Sequence, residues 1–215
     1  MTALAMARLI RRLEDQVRPE DLGGEPVAAL VRRWSRLRSP AMALAVGDYD
    51  PRWPAVFAAE AARIRGALAD AEIALHHVGS TSIPTLPGKN IIDIALAAPA
   101  RPAPDGVLAG LIALGYEPYG PSPIDPAWPW LWRIAADGAG ATVVHVCASG
   151  DPWLAHLVAF RDFLTACPDA RAQYADGKRA LAAGGLSWIE YSVAKRVLAL
   201  RLTARAVAWA EAVRA

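Results

Sequence analysis

Residues 90–97 read Asn-Ile-Ile-Asp-Ile-Ala-Leu-Ala, apolar on both alternating faces after Asn90 except at Asp93. A strand with two apolar faces is buried on both, so it belongs in the centre of a sheet covered by helices. An ionised carboxyl there is costly unless it has a partner. The candidates are a metal ion, a basic side chain or a ligand.

The flanking pattern supplies the rest of such a sheet. Residues 72–78 read as a strand, and Gly79-Ser80-Thr81-Ser82 as a tight, hydroxyl-rich turn. Residues 130–136 and 141–147 read as strands joined by the hairpin signal Asp137-Gly138-Ala139-Gly140. The short apolar run 42–46 reads as an edge strand. Between them, Asp50 is expected as the N-cap of a helix over about 51–69, with Pro51 at its first position. Asp105 caps a second helix that ends at Gly115. Residues 99–104 form a loop. Residues 120–129 hold four prolines and read as a long loop and candidate lid. From Asp151 the pattern is helical over 152–166, 168–183 and 187–214, broken at Gly184-Gly185. The expected architecture is α+β: a mixed sheet of about five strands, flanking helices and a C-terminal helical block.

Residues 1–38 carry two further helical stripes, one through Leu4, Ala7, Leu9, Ile10 and Leu13, interrupted by Gly23-Gly24. Ser39-Pro40 marks a boundary. This gives a helical appendage over 1–40 and a main domain over 41–215. Exposed apolar stripes adhere, so they are expected to bury against the main domain or a second copy of the chain.

Composition narrows the function classes. The chain has 215 residues, 54% of them hydrophobic and 20% charged, which excludes disorder. A net charge of +2 excludes a strongly electrostatic nucleic-acid binder. Cys147 and Cys167 offer neither a disulfide scaffold nor a CxxC zinc site. No apolar run reaches the roughly 20 residues of a membrane span. A soluble, cytoplasmic protein is expected. Of the 23 basic residues only Lys89, Lys178 and Lys195 are lysines.

Several residues carry candidate chemistry. A Gly-Ser turn after a strand presents backbone N–H groups and hydroxyls, an arrangement that cradles phosphate through Gly79, Ser80, Thr81 and Ser82. Tyr174 and Lys178, like Tyr191 and Lys195, stand four apart, each pair on one helical face. Phenols and ammoniums facing a cleft suit a triphosphate or a base, and surface packing of the lysine stem on the ring is the plainer reading. His145 lies among valines as either a core histidine or a proton-transfer group beside Asp93. His76 and His77 face opposite sides of their strand, and His156 reads as an ordinary helical surface residue. Trp128, Trp130 and Trp132 either stack a planar ligand or pack the core.

The sequence Tyr49-Asp50-Pro51-Arg52-Trp53-Pro54, then His77-Val78-Gly79-Ser80-Thr81-Ser82-Ile83-Pro84 and Ile91-Ile92-Asp93-Ile94, resembles the GrpB family. So do Phe160-Arg161-Asp162-Phe163-Leu164 and the two Tyr/Lys pairs, over about residues 45–200. The resemblance implies a polymerase-β-like nucleotidyltransferase fold that binds a nucleotide or phosphorylated small molecule and transfers a nucleotidyl or phosphoryl group. In that superfamily a D-x-D pair and a third acid hold two Mg²⁺ ions. Here position 95 is Ala95, and the third-acid strand offers His145. The implied catalytic pair is therefore Asp93 and His145, with Asp93 as the one metal-binding acid. The implied ligand contacts are Gly79–Ser82, Lys89, Arg133, Arg161, Tyr174, Lys178, Tyr191 and Lys195. A binding module without turnover, or condensation or hydrolysis on the recycled fold, are the alternatives.

Overall fold

The computed structural model describes residues 3–15, 26–34, 44–99, 105–121 and 129–214. The strands are β1 (Ala74–Val78), β2 (Ile91–Ala98), β3 (Glu117–Pro121), β4 (Pro129–Ile134) and β5 (Ala141–Ala148). They form one mixed sheet in the order β1-β2-β5-β4-β3. Only β2 and β5 run parallel; β1·β2, β4·β5 and β3·β4 are antiparallel. The apolar strand 90–97 thus lies inside the sheet, between β1 and β5. The helices are α1 (Ala3–Glu14), α2 (Val27–Trp34), α3 (Trp53–Ala67), α4 (Asp105–Ala113), α5 (Pro152–Ala166), α6 (Pro168–Ala183) and α7 (Trp188–Arg214). A single 3₁₀ turn, Ser80–Ser82, follows β1.

The two faces of the sheet are covered by different helices. Ile92, Ile94, Leu96, Val144 and Val146 pack with Ile64 and Leu68 of the α3 region and Val107 and Leu111 of α4. The opposite face carries Ile91, Trp130, Trp132, Ala141 and Val143, which pack with Trp188 of α7. Helices α5, α6 and α7 form the C-terminal block. It is joined through Phe163, Leu164, Tyr174 and Leu202 to Ile83 and Leu86 of the loop after β1. Leu9 and Leu13 of α1 and Val27, Leu30 and Val31 of α2 bury against Val193, Ala194 and Val197 of α7. The N-terminal stripes therefore dock on the main domain.

Three sequence expectations are corrected. Residues 44–46 form no strand; nearby, Gly47 makes an isolated bridge to Gly88. The fifth strand is β3 instead, which takes up 120–121 of the expected loop. Pro118 and Pro121 are tolerated because β3 is an edge strand with one partner. Asp50 is no N-cap: its carboxylate accepts the Arg52 N–H at 2.9 Å and pairs with the Arg52 guanidinium at 2.6 Å. Helix α3 begins at Trp53, with Pro54 in its first turn, so Pro51 lies ahead of it. Gly23-Gly24, the Ser39-Pro40 boundary, the loop 100–104, Trp128 and the lid segment 122–128 lie outside the described residues.

On the α3 face one buried acid organises three side chains. Glu60 accepts from Arg63 at 2.7 Å and from Arg133 at 2.6 Å, and also from the Tyr116 hydroxyl. Burial pushes the Glu60 carboxyl up. The hydrogen bonds from Arg63 and Tyr116 and the charge of Arg133 outweigh it, so the net direction is below the ordinary 4.5. A lowered carboxyl pKa stabilises the fold above about 4.5, and that contribution is lost as pH falls through the lowered folded value. Glu60→Ala leaves Tyr116 and Arg133 without their acceptor and is expected to cost about 2–3 kcal/mol in urea unfolding at pH 7. The loss relative to the wild type should shrink at acid pH; a pH-independent loss would refute the ion-pair origin.

Candidate functional site

Parallel pairing of β2 with β5 sets Asp93 opposite Val143 and Ala95 opposite His145. Side chains two apart share a face, so Asp93 and His145 project together toward the C-terminal helices. His145 Nε2 lies 3.0 Å from Asp93 Oδ1. Burial raises the Asp93 carboxyl, but the His145 hydrogen bond and the nearby charges of His145, Lys195 and Lys89 outweigh it. Asp93 is therefore held ionised. An ionised carboxylate only accepts, so Nε2 donates. Nδ1 is buried without a hydrogen-bond partner.

Gly79 closes the carboxylate's other side. It sits at φ 71°, where a side chain is strained, and a Cβ there would lie 2.4 Å from Asp93 Oδ2. The following turn is held by its own hydroxyls. Ser82 donates to the Gly79 carbonyl at 2.7 Å, Thr81 donates to the Ile91 carbonyl at 3.0 Å, and His77 Nε2 meets Thr81 Oγ1 at 3.1 Å. His77 also stacks on Phe57 of α3, with ring centroids 4.6 Å apart. Burial drives its pKa down to about 4, with Asp93 opposing and Arg161 assisting.

Asp93 and His145 line a cavity of about 230 Å³ between the sheet and helices α5–α7. All three lysines of the chain converge on it: Lys89 just before β2, Lys178 on α6 and Lys195 on α7. Lys89 Nζ lies 3.5 Å from the Trp188 ring centroid and 5.3 Å from that of Tyr191. Lys178 donates to the Pro87 carbonyl. Burial pushes all three ammoniums down; repulsion from Lys195 adds to this at Lys89 and Lys178, and Asp93 opposes it at each. Trp130, Trp153 and Trp188 form an aromatic wall, in which His145 sits edge-on to Trp130 at 4.3 Å and to Trp153 at 5.8 Å. The Tyr191 hydroxyl and the Trp153 and Trp188 indole nitrogens are buried without hydrogen-bond partners. Buried polar atoms are normally satisfied, so this group marks the cavity as the candidate site.

The structure brings Gly79, Ser80, Lys89, Asp93, His145, Tyr174, Lys178, Tyr191 and Lys195 into one cavity. Four expected contacts lie elsewhere. Thr81 and Ser82 hold the turn rather than face the cavity. Arg133 pairs opposite Thr142 on the other face of the sheet, where Glu60 takes it. Arg161 donates to the His77 carbonyl at 3.1 Å and pairs with Asp162, tying α5 to β1. His156, expected as plain surface, lies at the cavity's rim. Trp153 and Trp188 were not singled out by the sequence. Helical spacing could have found Trp188, which stands three before Tyr191 and seven before Lys195.

The donor set does not suit a two-Mg²⁺ site. Mg²⁺ asks for several close oxygens, and here one carboxylate stands among three ammoniums with Ala95 and His145 at the other acid positions. Among the described residues, no group of three or more His, Cys, Asp or Glu is placed to hold a metal ion. No described helix is long and apolar enough to cross a membrane.

An α+β fold with a lysine-lined, aromatic-walled cavity over its inner strands frames the candidate site. Residues 43–205 match the family model described as GrpB protein, and the chain belongs to the GrpB family. It is 41% identical over 136 residues to a UPF0157 protein of Pseudomonas aeruginosa, covering 62% of this chain and 54% of that protein, so the match spans about half the relative's length. It is 33% identical over 152 residues to a dephospho-CoA kinase of Mycolicibacterium paratuberculosis, covering 60% of this chain and 37% of that protein. The crystal structure of GrpB from Enterococcus faecalis superposes with a TM-score of 0.60 at 26% identity, covering 74% of this chain and 98% of that one.

Gly79→Ala combines a strained φ with a clash on Asp93. It is expected to lower stability by about 1–3 kcal/mol in denaturant titration. A wild-type midpoint would show that the close approach is not needed.

Proposed function

We propose that this chain binds a nucleotide or another phosphorylated small molecule in the cavity, with its phosphates against Lys89, Lys178, Lys195 and the Gly79-Ser80 turn. The observation that carries this reading is the convergence of every lysine of an arginine-rich chain on one cavity with a single carboxylate. An excess of desolvated ammoniums is unfavourable in the empty site and favourable once an anion enters. The Trp130, Trp153 and Trp188 wall fits the planar part of such a ligand.

The Asp93–His145 pair adds a base beside the phosphate position. Asp93 orients the imidazole, and Nδ1 is free to take the proton of a hydroxyl or amine acceptor. The reaction class this geometry serves is transfer of a phosphoryl or nucleotidyl group to a small acceptor. The relative named dephospho-CoA kinase is in keeping with phosphorylated substrates, although the match covers 37% of that protein.

A thermal-shift panel of nucleoside triphosphates, pyrophosphate and phosphorylated metabolites tests the binding. A millimolar ligand with micromolar Kd should add about 4 kcal/mol. No shift with any of them would refute a phosphate site.

Binding should also take up protons. The lysine pKa values are lowered in the empty cavity, and an anion raises them again, so the complex holds more protons in the interval between. Titration calorimetry at pH 8 in two buffers of different ionisation enthalpy should show net uptake, with affinity falling as pH rises further. Proton release would contradict the placement of the lysines on the anion.

A further inference from the structure

The charge balance of the cavity extends the binding reading, on which the following inference rests. Asp93 is its one acid; facing it are Lys89, Lys178 and Lys195, with Arg196 also on the lining. The acid is already engaged, with Oδ1 on His145 Nε2 and the Gly79 backbone against Oδ2. No second carboxylate stands two residues on, since Ala95 is fully buried there opposite His145. Lys178 donates to a backbone carbonyl, and Lys89 rests on the faces of Trp188 and Tyr191. Neither a carbonyl nor a ring cancels a full charge. A divalent cation entering this cavity meets one occupied carboxylate and three amines, each repulsive when it holds its proton. A phosphate or pyrophosphate meets the reverse.

We propose that Lys89, Lys178 and Lys195 take the place of metal ions: the cavity binds its phosphate or pyrophosphate group as the free anion, and Mg²⁺ competes with binding instead of supporting it. The ligand class is thus a metal-free polyanion with a planar part. Each charge that Mg²⁺ neutralises on the ligand is one fewer for the ammoniums. Lysine suits this duty because its ammonium is a compact point charge that can approach a phosphate oxygen directly.

The experiment is titration calorimetry of the full chain with pyrophosphate and with ATP as probes, once in EDTA and once in excess MgCl₂. Binding in EDTA that weakens roughly tenfold on adding Mg²⁺ is the expected result. Binding that requires Mg²⁺ would overturn the inference and leave the phosphate pocket standing. Binding of neither probe in either buffer would overturn both. Lys195→Met should weaken pyrophosphate binding in EDTA by tenfold or more; unchanged affinity would also overturn it.

Discussion

The contact on which the site depends is the 3.0 Å hydrogen bond between Asp93 and His145. It exists because β2 and β5 are parallel neighbours in a register that puts Asp93 two places before the partner of His145. A shift of one residue would turn one of the two side chains to the α3 face, where Ile94, Val144 and Leu96 leave no room for it. The bond also makes the central strand tolerable. An acid among isoleucines can remain ionised only with cationic and donor partners, and His145, Lys195 and Lys89 supply them. Those partners come from β5, from α7 and from the loop before β2. The carboxylate thus links the sheet electrostatically to the C-terminal helical block.

Much of this was legible before any coordinates. Alternation and apolar runs located β1, β2, β4 and β5, and proline and glycine punctuation located α5 and α6 to the residue. The spacing of four between Tyr174 and Lys178, and between Tyr191 and Lys195, correctly implied a shared face, since a helix preserves that relation wherever it packs. What remained hidden depends on which face of the sheet is used. Arg133 alternates on its strand as a phosphate ligand might, yet parity with Thr142 sends it to the far side. Parity is readable within one strand, but the cavity's side is decided only when α5–α7 cover it. Thr81 and Ser82 were hidden for another reason. A hydroxyl in a tight turn can bond the backbone or a ligand, and here nearby carbonyls claim both. β3 was missed because proline density argues against strands generally, whereas an edge position exempts it.

The two faces of the sheet solve the same electrostatic problem in opposite ways. On the α3 side, Glu60 is enclosed by Arg63, Arg133 and Tyr116, each a committed donor to its two oxygens. Guanidinium is permanently charged and planar, and its fork matches a carboxylate, so both oxygens of this acid are taken. On the other side Asp93 is outnumbered by lysines. An ammonium is not permanently charged when buried: it can lose its proton in the empty cavity and regain it beside an anion. In a chain with 20 arginines and three lysines, the use of lysine at this one cavity separates a structural acid from a receptive site. The fold thus keeps one acid fully paired to hold α3 on the sheet, and surrounds the other with more lysines than one carboxylate can balance.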